Sequence, residues 1–189
     1  ILFVGAERGL EKTLVPKRGY DIRLIPVEGF DRKHLARNVK VVRKLMKGNS
    51  QAKKIIRDFR PDVVVGTGGY ASAPILWVAQ RLSVPTLIQE QNSYAGLTNR
   101  LTGRKADRIC VAYEGMERFF PKDRLVMTGN PVRNNIRRPT SGEKAEALKH
   151  YSFDPEKKTI LVLGGSLGCA TLNNTMKKWI ADGQPGGEG

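Results

Sequence analysis

Short apolar runs rich in valine and isoleucine alternate along the chain with longer stretches of helical periodicity. The runs are Ile1–Val4, Ile22–Val27, Val63–Val65, Thr86–Ile88, Ile109–Ala112, Leu125–Thr128 and Thr159–Leu163. Being apolar on both faces, they predict strands of a buried parallel sheet, not the alternating pattern of a half-solvated one. Helical spacing predicts helices over Leu10–Lys17, Lys33–Phe59 with a break at Gly48-Asn49, Ala73–Leu82, Ala95–Arg104, Gly115–Phe119, Glu143–His150 and Cys169–Ala181. Pro61 ends the second of these, because a proline disfavours helix in the residue before it. Strands alternating with helices predict an α/β fold with a doubly wound parallel sheet.

The organisation changes after Asn130-Pro131. Residues 133–158 carry Pro139, Ser141, Gly142 and Pro155 with many charges and few large apolar side chains, which reads as a connection holding one short helix. The expected division is therefore a Rossmann-like domain over 1–132, a connection over 133–158, and the start of a second domain over 159–189. The first domain begins as though its opening strand were missing, and the final GQPGGEG does not read as a domain end.

Composition is that of an ordinary globular chain, with 40% hydrophobic and 27% charged residues in 189. The net charge of +15 is the extreme value and points to anionic partners. Between Arg32 and Arg60 stand 11 of the 33 Lys and Arg residues with one Asp, Asp58. Within that stretch Leu35, Val39, Val42 and Met46 follow helical spacing, with Arg37, Lys40, Arg43, Lys44 and Lys47 around them. A basic amphipathic helix suits an anionic membrane surface, although a sheet-covering helix with a basic outer face would look the same. Aromatic residues are scarce nearby, so a nucleic-acid stacking platform has no support. No apolar run approaches the roughly 20 residues that span a bilayer. Cys110 and Cys169 fit no metal spacing or disulfide framework, and the two histidines, His34 and His150, make a histidine-rich metal site unexpected.

Four stretches carry candidate chemistry. Gly66-Thr67-Gly68-Gly69-Tyr70 follows a strand and leads into a helix, so its backbone N–H groups can approach a phosphate or sugar unhindered by Cβ atoms; a plain tight turn is the simpler alternative. Gly164-Gly165-Ser166-Leu167-Gly168 repeats the arrangement, with Ser166 able to cap the next helix or to contact a phosphate. Gln89-Glu90-Gln91-Asn92 lies at the carboxyl end of a strand, where open parallel sheets bind ligands, and its amides and carboxylate offer the donors and acceptors that sugar hydroxyls need. Arg133, after Gly129-Asn130-Pro131-Val132, could brace a pyrophosphate or simply sit at the surface. Gly66, Gly68 and Ala71 also satisfy GxGxxA, with Glu90 lying 24 positions after Gly66, which leaves a nicotinamide-dependent oxidoreductase as one alternative. A basic nucleic-acid-binding module is the other.

Taken in order, VGAERGLEKTLVPKRGY, RPDVVVGTGGYASAP, PTLIQEQNSYAGLTNR, TGNPVR and ILVLGGSLGCATLN resemble the MurG family of bacterial cell-wall glycosyltransferases, over nearly the whole chain to about Ile180. The resemblance implies a GT-B fold of two Rossmann-like domains. It also implies an inverting transfer of N-acetylglucosamine (GlcNAc) from UDP-GlcNAc to the muramyl 4-hydroxyl of lipid I, giving lipid II for peptidoglycan. It implies no metal or other cofactor, and no nucleic acid partner. Carried over by motif, Gly68, Gly69 and Tyr70 would face the lipid-linked acceptor, while Glu90, Asn92 and Asn99 would line the cleft. Arg133, Ser166 and Asn173 would lie towards the donor, with Asn92, Arg133 and Ser166 contacting UDP-GlcNAc. Lys40, Arg43, Lys44 and Lys47 would lie on the surface that docks on the cytoplasmic face of the plasma membrane. Leu167 stands where the family has glutamine, and Gln89 where some members have histidine. Glu90 is a candidate catalytic residue, but no base is assigned. The family's GGTGGH loop would precede Ile1, so the chain alone is expected to be inactive.

Overall fold

The computed structural model describes residues 1–29, 38–134, 136–165 and 168–183; within the helix that starts at Asn38, the side chains of 38–40 and 42 are outside that description. Contacts divide the chain into two units, Ile1–Pro131 and Val132–Gly189.

The first unit is built of strand–helix repeats. Strand β1 (Leu2–Ala6), helix α1 (Glu11–Lys17) and strand β2 (Asp21–Ile25) form one repeat. Helix α2 (Asn38–Phe59), β3 (Val64–Gly66), α3 (Gly69–Arg81), β4 (Thr86–Glu90), α4 (Leu97–Gly103), β5 (Arg108–Val111) and β6 (Leu125–Met127) follow. The α/β class and the parallel pairing read from the sequence are both present. Among the described residues the strands nevertheless make two parallel sheets and not one, β1-β2 and β3-β4-β5-β6. Helix α3 packs against β1 as well as β3 and β4, so both sheets lie on it. A cleft of roughly 730 Å³ runs between them, lined by Leu2, Phe3, Val4, Val63, Val65 and Leu76 among others. This is why Val63 and Val65, expected to be buried, are 51% and 57% exposed.

Register is pinned at the sheet's entry edge. Asp107 Oδ2 accepts from the Thr86 backbone N–H at 2.7 Å, and the Asp107 N–H donates to Thr86 O at 3.0 Å. These bonds hold the start of β4 beside the start of β5, so the carboxyl ends of adjacent strands come out level. The core gathers Ile25, Ile56, Leu76, Ile88, Ile109, Met116 and Phe120 around the two sheets.

Two expectations need correction. Helix α2 runs unbroken through Gly48. Gly48 is buried, and a Cβ there would lie 3.0 Å from Val27 Cγ1 and 3.7 Å from a Pro74 side-chain carbon. The missing side chain lets the helix approach its neighbours closely and does not interrupt it. Thr159–Leu163 is no strand: no strand pairs with it among the described residues, and Ile160, Leu161 and Leu163 are 83%, 81% and 75% exposed. An apolar β-rich run becomes a strand only where another strand takes up its backbone groups.

The second unit holds α5 (Ser141–His150) and α6 (Ala170–Ala181), neither with a buried residue. Helix α5 starts in a capping box. Thr140 Oγ1 accepts from the Glu143 N–H, and the Thr140 N–H donates to Glu143 Oε2 at 2.8 Å. No helix among the described residues is long and apolar enough to cross a membrane.

Candidate functional site

Two loops at the carboxyl ends of the neighbouring strands β3 and β4 form the site. After β3, Gly68 adopts φ 87° and ψ −168°, a conformation essentially confined to glycine, and Gly69 follows at φ 77°. The chain thus turns at once into α3, whose N-terminus carries no side-chain cap. The Ser72 hydroxyl donates to Gly68 O and steadies the turn. Tyr70, in the first turn, is 60% exposed, and its ring lies over Gly29, where a Cβ would meet the phenol at 2.3 Å.

After β4 the chain turns through residues 91–96 around one buried carboxylate. Glu90 is 1% exposed. Its Oε1 accepts from the Asn92 backbone N–H and from Asn92 Nδ2, both at 3.0 Å. Its Oε2 accepts from the Gly96 N–H at 2.9 Å and from Asn99 Nδ2 at 3.0 Å. Burial is the largest single influence and pushes this carboxyl up, but the N–H donors of Asn92, Gly96 and Asn99 together hold it below the usual carboxylate range. A carboxylate so occupied organises a loop; it has no free lone pair aimed at a reacting proton.

A second set of amide bonds ties the two loops together. Gln91 Nε2 donates to Thr67 O at 3.1 Å and also to Gln89 Oε1. Asn130 Nδ2 donates to Gln91 O at 3.2 Å, and Gln89 Nε2 donates to Asn130 Oδ1 at 3.3 Å. Sequence reasoning missed the part played by Gln91, Asn130 and Thr67, because it depends on strand order and not on spacing.

These loops form the polar wall of a cavity of about 440 Å³, lined by Thr67, Gly68, Gly69, Tyr70, Asn92 and Asn99 on that side. The cavity is also lined by the apolar side chains of Val27, Val41, Leu45, Trp77, Leu97 and Leu101, with Glu28 among them. Nothing in the sequence marked those apolar residues apart from core, since only the packing of α2 against α3, and of α3 against α4, leaves them facing an opening. Among the described residues of the expected basic face, Arg43 and Lys47 are exposed. Lys44 instead pairs with Glu28, and that hydrogen bond is the first cause of the Glu28 carboxyl lying below its ordinary range. The Lys40 side chain and Ser166 lie outside the described residues. Arg133 and Asn173 belong to the second unit, both exposed, with the Asn173 N–H donating to Cys169 O at 2.9 Å in the first turn of α6.

Comparison with known proteins gives this site a context. A relative from Bacteroides fragilis, named UDP-N-acetylglucosamine--N-acetylmuramyl-(pentapeptide) pyrophosphoryl-undecaprenol N-acetylglucosamine transferase, is 58% identical over 176 residues, covering 93% of this chain and 46% of the relative. Relatives of the same name from Parabacteroides distasonis and Flavobacterium psychrophilum are 58% and 47% identical, over 94% and 95% of this chain and 48% and 49% of their own lengths. The chain thus spans about half the length of the curated relatives it matches. A crystal structure of Acinetobacter baumannii MurG superposes with a TM-score of 0.55 at 26% identity, covering 77% of this chain and 42% of that one, and the parallel α/β fold is of the same GT-B type. The nicotinamide reading of Gly66, Gly68 and Ala71 finds no support in these comparisons. The model of the glycosyltransferase family 28 N-terminal domain matches residues 1–111, more than half of the chain, and the chain belongs to that family.

Proposed function

We propose that the intact protein is an inverting hexosyltransferase that moves GlcNAc from UDP-GlcNAc to the muramyl 4-hydroxyl of lipid I, forming lipid II for peptidoglycan. The observation that carries this reading is the 58% identity to relatives named for that transfer. Supporting it is a cavity whose polar wall of amides and backbone N–H groups suits sugar hydroxyls and whose apolar wall suits a lipid-linked substrate.

In this reading Gly68, Gly69 and Tyr70 face the acceptor and Asn99 lines the cleft beside them. Asn92, Arg133 and Ser166 contact UDP-GlcNAc, with Asn173 near the donor. The departing diphosphate gathers negative charge as the glycosidic bond breaks, and helix N-termini and an arginine stabilise it without reorganising. Glu90, with both oxygens engaged, acts as the brace of the 91–96 loop; the base that deprotonates the acceptor hydroxyl is left unassigned. The enzyme works from the cytoplasmic face of the plasma membrane, held to its anionic surface through the basic face of α2. No nucleic acid takes part.

Ligand-dependent melting of the intact full-length protein tests this. UDP-GlcNAc or UDP at 100 times its dissociation constant should stabilise the fold by about 2.7 kcal/mol. Stabilisation by NAD but not by either uridine nucleotide would overturn the reading.

A further inference from the structure

The 91–96 loop and the start of α4 are held from two sides. Glu90 holds the loop at Asn92 and Gly96, while Ser93 and Tyr94 between them are exposed. That middle part is taken up by the connection between β5 and β6. Arg118 Nη2 donates to Ser93 O at 2.7 Å, and the guanidinium carbon of Arg118 lies 4.8 Å from the centre of the Phe119 ring. Phe119 in turn meets Tyr94 edge to face, with centroids 4.9 Å apart and planes at 74°. Arg100, on α4, sets its guanidinium 5.9 Å from the Tyr94 ring and 5.4 Å from the Phe119 ring. Tyr94 is 67% exposed, so these ring contacts and not burial hold it.

The connection that makes these contacts is itself anchored. Met116 and Phe120 are 1% and 4% exposed and belong to the core, and Gly115 enters the 3-10 turn Met116–Arg118 at φ 73°. A cation set on a fixed turn can locate a neighbouring loop. Arginine suits the task, because its planar group donates to a carbonyl while resting on a ring, and lysine has no such plane. The loop and helix gripped in this way are the ones whose other residues, Gln91, Asn92, Leu97 and Leu101, line the 440 Å³ cavity. Arg118 and Phe119 are not among its lining residues, so they bear on the cavity only through the loop and α4.

We propose that Arg118 is a positioning residue for the substrate cavity: it ties Ser93 O to a turn anchored in the core and, with Phe119 and Arg100 gripping Tyr94, fixes the outer side of the loop that carries Asn92. This rests on the glycosyltransferase reading above and deepens it, since in that reading Asn92 contacts UDP-GlcNAc. Arg118 touches no substrate and moves no proton. Its contribution is to binding, because a loop already held in its ligand-bound shape loses less freedom when the ligand arrives.

Steady-state kinetics of the intact full-length protein test this, with UDP-GlcNAc as donor and a soluble lipid I analogue with a short prenyl chain as acceptor. Arg118→Met keeps an unbranched side chain and removes the donor group. The KM for UDP-GlcNAc should rise about fivefold, the worth of one exposed hydrogen bond from a charged donor, with kcat and the acceptor KM within about twofold of the parent. Arg118→Lys restores a cation without the planar fork, so its KM should fall between those of parent and Arg118→Met. A purely structural role would instead reduce the amount of folded enzyme, lowering kcat and leaving both KM values alone. That result would overturn the proposal, as would a KM for UDP-GlcNAc within about 1.5-fold of the parent in Arg118→Met or equal rises in both KM values. Absence of turnover in the unsubstituted protein would count against the transferase reading. The contact itself is read without turnover and without a variant. In the 189-residue chain the Arg118 Nη protons should give separate nuclear magnetic resonance signals, because a guanidinium held by an acceptor and a ring does not rotate freely about its Nε–Cζ bond. A single averaged signal would overturn the proposal.

Discussion

Replacing Glu90 with glutamine changes one atom type and should cost the first unit a large part of its stability. Each carboxylate oxygen takes two donors: Asn92 N–H and Nδ2 at 3.0 Å each on one, Gly96 N–H at 2.9 Å and Asn99 Nδ2 at 3.0 Å on the other. Glutamine supplies a single oxygen, so two donors would meet an NH2 group whichever way it turns. Hydrogen bonds to a charged acceptor contribute about 1.5–3 kcal/mol each, and rotation of Asn99 can recover part of one, which leaves a loss of about 2–4 kcal/mol. For a domain of this size that corresponds to a fall in Tm of roughly 6–12 °C, read by calorimetry at pH 7. The pH dependence carries a sign. A carboxyl held below its ordinary value of 4.5 adds stability that is present above that pH and is lost as pH falls through its lower folded value. The gap between parent and Glu90→Gln should therefore narrow below pH 4.5. A Tm difference under about 2 °C at pH 7, or a gap that does not change in acid, would refute the claim that this carboxylate holds the loop.

Four further outcomes follow from the geometry. Gly68→Ala places a methyl at φ 87°, ψ −168° and should destabilise the unit by about 1–3 kcal/mol in chemical denaturation, even though no atom lies within 3.4 Å of the new Cβ. Gly66→Ala should destabilise by a similar amount, about 1–3 kcal/mol in the same assay, for a different reason: its Cβ would lie 2.5 Å from Cδ1 of the fully buried Leu76, so the Leu76 side chain or α3 must shift. Glu143, with Arg137 as the main cause and Thr140 assisting, is held down to about 2 from 4.5. The support it gives the start of α5 is present above pH 4.5 and lost as pH falls towards 2, which the amide signals of residues 141–150 would report in an acid titration. Reversing Arg43 and Lys47 to glutamate should weaken binding to anionic vesicles at least about tenfold, while Lys44→Glu should do less per charge, since Glu28 already compensates Lys44.

Much of the first unit could be read from the sequence because buried parallel strands leave a clear mark. The runs at Ile22–Val27, Thr86–Ile88 and Ile109–Ala112 each contain a residue with no exposed surface: Ile25, Ile88 and Ile109. Pattern fails where the deciding fact lies elsewhere in the chain. The run at Thr159–Leu163 has the composition of a strand, but composition does not specify a partner. At Gly48 the sequence signals a break, while the structure uses the absent Cβ for close packing against Val27 and Pro74. Position cannot separate these two uses of glycine, since both follow from the lack of a side chain. The cleft between β1 and β3 was invisible for the same kind of reason: the apolar run at Val63–Val65 predicts burial, but the edge of β3 that faces β1 is not paired with it.

The candidate site divides along that line too. Glycines at 66, 68 and 69 and the amides at 89–92 could be picked out because each residue type limits the backbone or the hydrogen bonding on its own. What each side chain does there depends in part on neighbours far along the chain, such as Asn99 for Glu90, 9 positions away, and Asn130 for Gln89, 41 positions away. A carboxylate at the end of a strand looks in sequence like a candidate base, yet the chain after it delivers three backbone or amide donors from residues 92 and 96 and a fourth from α4. Those donors lower its proton affinity, and a group with less affinity for protons is a poorer base and a better anchor. The same bonds that occupy both oxygens of Glu90 also orient the Asn99 amide, a link between β4 and α4 that spacing alone does not show.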